Sequence, residues 1–124
     1  MHFDQRTQAA LRDVGLSRSD IRAASKAIAE AANSDAETLE AFFDGGGAFY
    51  SDMEMAHSEG DTQEHTVEYL DLYTHGSEIR GYLRFDSWGI PVEGGRPLTE
   101  EKVELTLGGT VNARVRFVRD PTAL

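Results

Sequence analysis

The chain has no cysteine, so disulfides and thiolate chemistry are both excluded. It has very little lysine: of twelve basic residues, only Lys26 and Lys102 are lysines and the other ten are arginines. No stretch approaches the ~20 consecutive apolar residues of a membrane-spanning helix, and "MHFDQRTQAA" at the start holds no apolar signal core. The expected setting is therefore the cytoplasm, with no membrane partner. Motifs of established chemistry are also missing. There is no Gly-x-Ser-x-Gly elbow, no His-Glu-x-x-His pair and no Gly-Lys-Ser/Thr phosphate loop. These absences point away from catalysis and name no cofactor, no metal and no catalytic residue.

What the chain does have is acid. Twenty-two Asp and Glu face twelve bases over 124 residues, a net charge of −10. In dilute buffer such a charge repels itself, whereas at molar salt the Debye length falls to about 3 Å and the repulsion is screened. An acidic, lysine-poor composition of this kind resembles that of small uncharacterised proteins from salt-accumulating halophilic archaea. That resemblance spans the whole chain and implies no activity. The charge is uneven: residues 1–33 carry five bases and four acids, and the remaining 91 carry −11.

A length of 124 residues suits one domain, with residues 1–44 helical and 48–118 forming a sheet. Asp4 caps a first predicted helix running to about Val14, with Gly15 as its stop. Ser17 caps a second, with Asp20 three residues on and Leu16 stapling onto Ile21. Its expected buried stripe is Ile21, Ala24, Ile28 and Ala31. Ser34 and Glu37 form a capping box for a third, whose apolar face is Leu39, Phe42 and Phe43.

Beyond "AFFDGGGAFYSD" (residues 41–52) the period changes to two. Phe49, Met53, Met55 and His57 fall on one side of the first strand. In "EHTVEYLDLY", Leu70 and Leu72 oppose Val67, Tyr69 and Tyr73. In "EIRGYLRFDSW", Ile79, Leu83 and Phe85 oppose Arg80, Tyr82, Arg84 and Trp88. "KVELTL" and "TVNARVRF" complete five antiparallel strands. "THGS" suits a hairpin with His75-Gly76 at its tip, and "LGGT" a three-residue loop from Gly108 to Thr110. "GIPVEGGRPLTE", residues 89–100, reads as a long loop, either a binding loop or a crossing between sheet edges. The expected fold is α+β: N-terminal helices packed on one face of a five-stranded antiparallel meander.

Chain order decides how the glycine triplet reads. A phosphate loop runs strand, glycines, helix, and offers the positive helix end. Here the glycines follow a helix, where the potential is negative, so the triplet reads as a joint. His57 and His65 flank an acidic hairpin tip with Glu59, Asp61 and Glu64, but no pair has an established metal spacing.

Three uses of the chain follow. In the first, Tyr69, Tyr73, Arg80, Tyr82, Arg84 and Trp88 form an uncovered sheet face, joined by Arg114 and Arg116 if the last strand lies beside it. Tyr, Trp and Arg are enriched at interfaces, so this reading is a non-catalytic interaction module that binds another protein or a second copy of itself. In the second, a ligand pocket lies between helices and sheet, its mouth near Phe42, Phe43, Tyr50 and Met53. In the third, residues 10–27 resemble a helix-turn-helix. Gly15 is the turn glycine, and Arg18, Arg22 and Lys26 lie on the second helix. Leu11, where such motifs carry a small residue, and Asp20 among the base readers depart from that pattern. The acidity of the remainder argues against nucleic acid as the partner.

Overall fold

The computed structural model describes residues 4–13, 15, 17–54 and 62–124. Among them are two α-helices, six strands and a closing 3-10 turn. Helix α1 spans Gln5–Asp13 and α2 spans Arg18–Phe42; the strands are β1 (Gly47–Ser51), β2 (Gln63–His75), β3 (Glu78–Phe85), β4 (Gly89–Thr99), β5 (Lys102–Leu107) and β6 (Ala113–Val118). The α+β class stands, with six strands rather than five.

Local chemistry starts both helices as expected. Asp4 Oδ1 accepts from the Thr7 backbone N–H at 2.7 Å. Ser17 Oγ accepts from the Asp20 N–H at 3.1 Å, and Asp20 Oδ2 accepts from the Ser17 N–H at 3.2 Å, completing a capping box. The Ser17 hydroxyl, followed by its backbone N–H, holds the Asp20 carboxyl below its ordinary range. Val14 and Leu16, the latter one half of the expected staple, lie outside the described residues.

The second and third predicted helices are one. Nothing between residues 30 and 37 breaks a helix, so Ser34 sits inside α2 and its carbonyl accepts from Thr38 Oγ1 at 3.0 Å. This continuity also turns the buried stripe. At 3.6 residues per turn, stepping back from Leu39 reaches Ala36, Ala32, Ser25 and Ile21, all buried. Ala24, Ile28 and Ala31 fall a step to the side, and Ile28 is exposed. The large residues at the C-terminal end set the angle, and the small ones follow.

At that end Phe43 is the cap residue and Gly45, Gly46 and Gly47 take φ of 81°, 65° and 98°. Three successive residues in this region require glycine. A Cβ on Gly46 would also lie 2.6 Å from the Val67 carbonyl oxygen. The triplet is thus the joint between helix and sheet that chain order implied. Arg119, from beyond β6, donates through Nη2 to the Phe42 carbonyl at 2.6 Å, with its guanidinium 4.6 Å over the Phe42 ring. It places a cation at the negative end of α2.

The strands pair in chain order and the sheet closes on itself, β1 against β6 through Tyr50↔Val118 and Ser51↔Phe117. The expected open sheet is therefore a barrel, with an inner and an outer face. Residues 89–99, expected as a loop, are β4. This strand pairs with β3 over Gly89–Val92 and with β5 over Val92–Thr99. Pro91, Pro97 and two glycines hide its alternation. Register shifts between Val92 and Gly94 and between Pro97 and Thr99 interrupt the ladder in the stretch that holds the Gly-Gly pair and Pro97.

Both hairpin turns shift while preserving the faces. The β2–β3 turn is Gly76-Ser77, with His75 opposite Glu78 and Leu72 opposite Gly81. Gly76 has φ of 59°, which suits the first position of a two-residue turn. The β5–β6 loop is Gly108–Asn112, so Leu107 opposes Ala113 and Leu105 opposes Val115. One face did change. A bulge at Glu68, between Val67 and Tyr69, sends Val67 inward with Leu70, not outward with Tyr69.

The core joins α2 to the inner faces of the strands. Helix α2 packs chiefly on β2 and β4. Gly95 allows this approach: a Cβ there would lie 2.9 Å from both Leu39 Cδ1 and Leu105 Cδ2. At the other end, Phe43 stacks against Phe42, Phe49 and Phe117 with ring centroids 4.9, 4.8 and 5.5 Å apart.

Candidate functional site

The outer face of β2 and β3 carries aromatics that neither helix covers. Cross-strand pairing sets Tyr69 opposite Arg84, Asp71 opposite Tyr82 and Tyr73 opposite Arg80. Tyr69, Tyr73 and Tyr82 are 43%, 64% and 39% exposed, which is high for residues that bury large areas when they can. Tyr69 points outward by alternation with Leu70, and the bulge at Glu68 takes Val67 off this face. Tyr82 lies over bare backbone: a Cβ on Gly89 of β4 would sit 2.3 Å from the Tyr82 hydroxyl oxygen. Arg84 Nε is 3.7 Å from Glu68 Oε2 and Arg80 Nη2 is 3.8 Å from Glu78 Oε1, both at half-exposed side chains. Such pairs contribute at most about 1 kcal/mol, so the arginines are not committed to them.

Five of the six residues expected here share this face. Trp88 does not. Its ring packs 4.7 Å from that of Phe85, against the core, because the turn after β3 breaks the alternation that placed it outside. Arg114 and Arg116 do not join either, since β6 pairs with β5 and β1.

A buried polar pair lies inside the barrel. Ser51 Oγ is 2.7 Å from His65 Nε2, and the Ser51 hydroxyl also accepts from the Met53 N–H at 3.2 Å. Ser51 is wholly buried and His65 nearly so, with Phe85 and Phe117 beside the imidazole. A serine enclosed in this way is out of reach of a substrate, so the pair links β1 to β2. Burial lowers the His65 pKa below its ordinary 6.5. The unfolded chain therefore binds the proton first as pH falls. The contribution of neutral His65 to stability is complete above about pH 6.5 and is lost as pH falls through the depressed folded value. Urea melts should show that slope in the native chain, and a His65→Gln variant should lack that part of it. Equal slopes in the two would contradict the assignment. His57, Glu59 and Asp61 lie outside the described residues; among the described residues no three His, Asp or Glu side chains converge on a metal position.

On the far side of the barrel, three adjacent strands line up Arg96, Glu104 and Arg116. Glu104 faces outward yet its side chain is only 9% exposed, because the two guanidiniums cover it. Its Oε1 accepts from Arg96 Nε at 3.1 Å and its Oε2 from Arg116 Nε at 3.5 Å. Burial alone would raise the Glu104 pKa, but the hydrogen bonds and charges of the arginines outweigh it and hold the carboxyl below the ordinary range. Sequence alternation contained this triad but could not assemble it without recognising β4.

The pocket mouth expected at Phe42, Phe43, Tyr50 and Met53 is filled, since Phe42, Phe43 and Met53 are core residues. A cleft of about 250 Å³ does lie beside the end of α2, between Ala41, Phe42, Val103 and Arg119. Arg18, Arg22 and Lys26 are exposed at i, i+4 and i+8 of α2, with Lys26 Nζ 3.8 Å from Glu30. No helix among the described residues is long and apolar enough to cross a membrane.

Residues 1–122 match a family of unknown function, DUF7532, and the chain belongs to it. No curated protein and no solved structure matches the chain.

Proposed function

We propose that this member of a family without an assigned activity is a non-catalytic interaction module, which pairs with a second copy of itself through the outer face of β2 and β3. The observation that carries the reading is the set of three exposed tyrosines, Tyr69, Tyr73 and Tyr82, interleaved with Arg80 and Arg84 on a rigid ribbon. Tyr and Arg are the residue types that most often anchor interfaces. The face also holds both signs of charge: Glu68, Asp71 and Glu78 accompany the two arginines. A surface of mixed sign can complement itself about a two-fold axis, with each arginine meeting a carboxylate of the other copy.

The chain's charge gives this reading a distinctive salt dependence. Two copies at −10 each repel, and salt screens that repulsion while leaving tyrosine burial intact. Association should therefore tighten from dilute buffer to molar KCl, the setting that the composition suggests. Sedimentation equilibrium in both conditions is the test. A Tyr69→Ala/Tyr73→Ala double variant should weaken dimerisation by about tenfold or more, with its melting temperature unchanged at concentrations low enough that the native chain is monomeric. Native protein that stays monomeric in molar KCl at high micromolar concentration overturns the reading.

A further inference from the structure

The outer face of β4, β5 and β6 collects cations that packing does not require. Arg96 and Arg116 flank one carboxylate, Glu104, and Arg114 stands two residues along β6 from Arg116, in a chain whose overall charge is −10. Glu104 engages Arg96 and Arg116 through Nε alone. It thus holds two guanidiniums in place while leaving their Nη donors to other acceptors. Arg114 stands opposite Thr106, is exposed, and has no ion-pair partner among the described residues. Of the acids nearby, Asp52 is engaged by the Arg116 backbone N–H at 2.8 Å, on the β1 side of β6, and Glu93 of β4 lies toward Gly108, where an added Cβ would sit 2.5 Å from its Oε1.

Between these groups lies a depression of about 220 Å³ lined by Gly95, Arg96, Glu104, Thr106 and Arg114. We propose that this depression binds a small, multiply charged oxyanion, a phosphorylated or polycarboxylate metabolite. Arg114 and the Nη groups of Arg96 contact it, and Thr106 Oγ1 donates from the floor. Guanidinium groups suit planar oxyanion pairs of either kind. Glu104 is a positioning residue, whose two bonds fix the arginines before the ligand arrives. The size of the depression and the acidity of the rest of the chain favour a small ligand. A polyanion would meet the whole repulsive field, whereas a small anion within a Debye length (about 8 Å at physiological ionic strength) meets chiefly the local arginines.

The site is separate from the β2–β3 face, so its test is independent of dimerisation. The full chain is titrated calorimetrically with inorganic pyrophosphate and, separately, with citrate. Saturable millimolar or tighter binding of either is expected, and the stronger of the two identifies the ligand as phosphorylated or polycarboxylate. Arg114→Gln should weaken binding by about tenfold or more without shifting the thermal melt, since Arg114 supports no packing. Thr106→Val should also weaken binding. Failure of both probes to saturate, or native affinity in Arg114→Gln, overturns the proposal.

Discussion

Replacing Phe43 with alanine is expected to lower the unfolding free energy by about 3–5 kcal/mol, the usual range for deleting a fully buried aromatic ring. Phe43 is 2% exposed and its ring touches those of Phe42, Phe49 and Phe117, which come from α2, β1 and β6. The location raises the stakes. Among the described residues the barrel closes through two ladder pairs, Tyr50↔Val118 and Ser51↔Phe117, with the Asp52 N–H donating to the Arg116 carbonyl at 3.3 Å beyond them. Packing beneath that seam therefore carries what a longer ladder would carry elsewhere. Against a total of about 5–15 kcal/mol for a domain, the loss leaves little. Denaturant melts should show a lower midpoint, and amide exchange should accelerate first at residues 50, 51, 117 and 118. A loss under about 1 kcal/mol would mean that the cluster is not the closure of the barrel.

Gly81→Ala should be comparably damaging for a different reason. An added Cβ would lie 2.0 Å from the Asp71 carbonyl oxygen and 2.9 Å from Leu72 Cα. Both obstacles are backbone, so no rotamer change can relieve them. Overpacking typically costs about 1–3 kcal/mol, and here the β2–β3 ladder itself must open, which places the cost at or above the top of that range. Arg80 and Tyr82 flank Gly81, so the outer face deforms with the ladder. The variant should lose dimerisation together with its melting temperature, whereas Tyr69→Ala/Tyr73→Ala loses dimerisation alone. Gly94→Ala is the matched control: its methyl would meet Thr106 Oγ1 at 3.5 Å, an ordinary contact. A native melting temperature for Gly81→Ala would show that the ladder is looser than it looks.

Much of this architecture was legible because it is local. A hydroxyl and a carboxylate three residues apart make the Ser17–Asp20 cap wherever the helix lies. Helix, then three glycines, then strand reads as a joint from chain order and dipole sign alone. Alternation sorted Leu70, Leu83 and Phe85 from Tyr73, Arg80 and Tyr82. Even where both hairpin turns moved, those faces survived, because each register changed by an even step.

Other features depended on partners distant in the chain. Strand β4 was hidden because Pro91, Pro97 and the Gly94-Gly95 pair read as a loop. They are tolerated because the ladder is interrupted beside Gly94 and Pro97, and because Gly95 must admit Leu39 of α2. The bulge at Glu68 turned Val67 inward. The Arg96–Glu104–Arg116 row exists only once three strands are laid side by side. The sequence by itself determined the α+β class, the helix cap, the glycine joint and most strand faces, since each follows from bonds and periods within a few residues. The tertiary structure alone decided that α2 is unbroken, that the sheet closes, that Trp88 turns to the core and that two arginines from different strands meet one glutamate. Those outcomes rest on the fit between side chains that lie far apart along the chain.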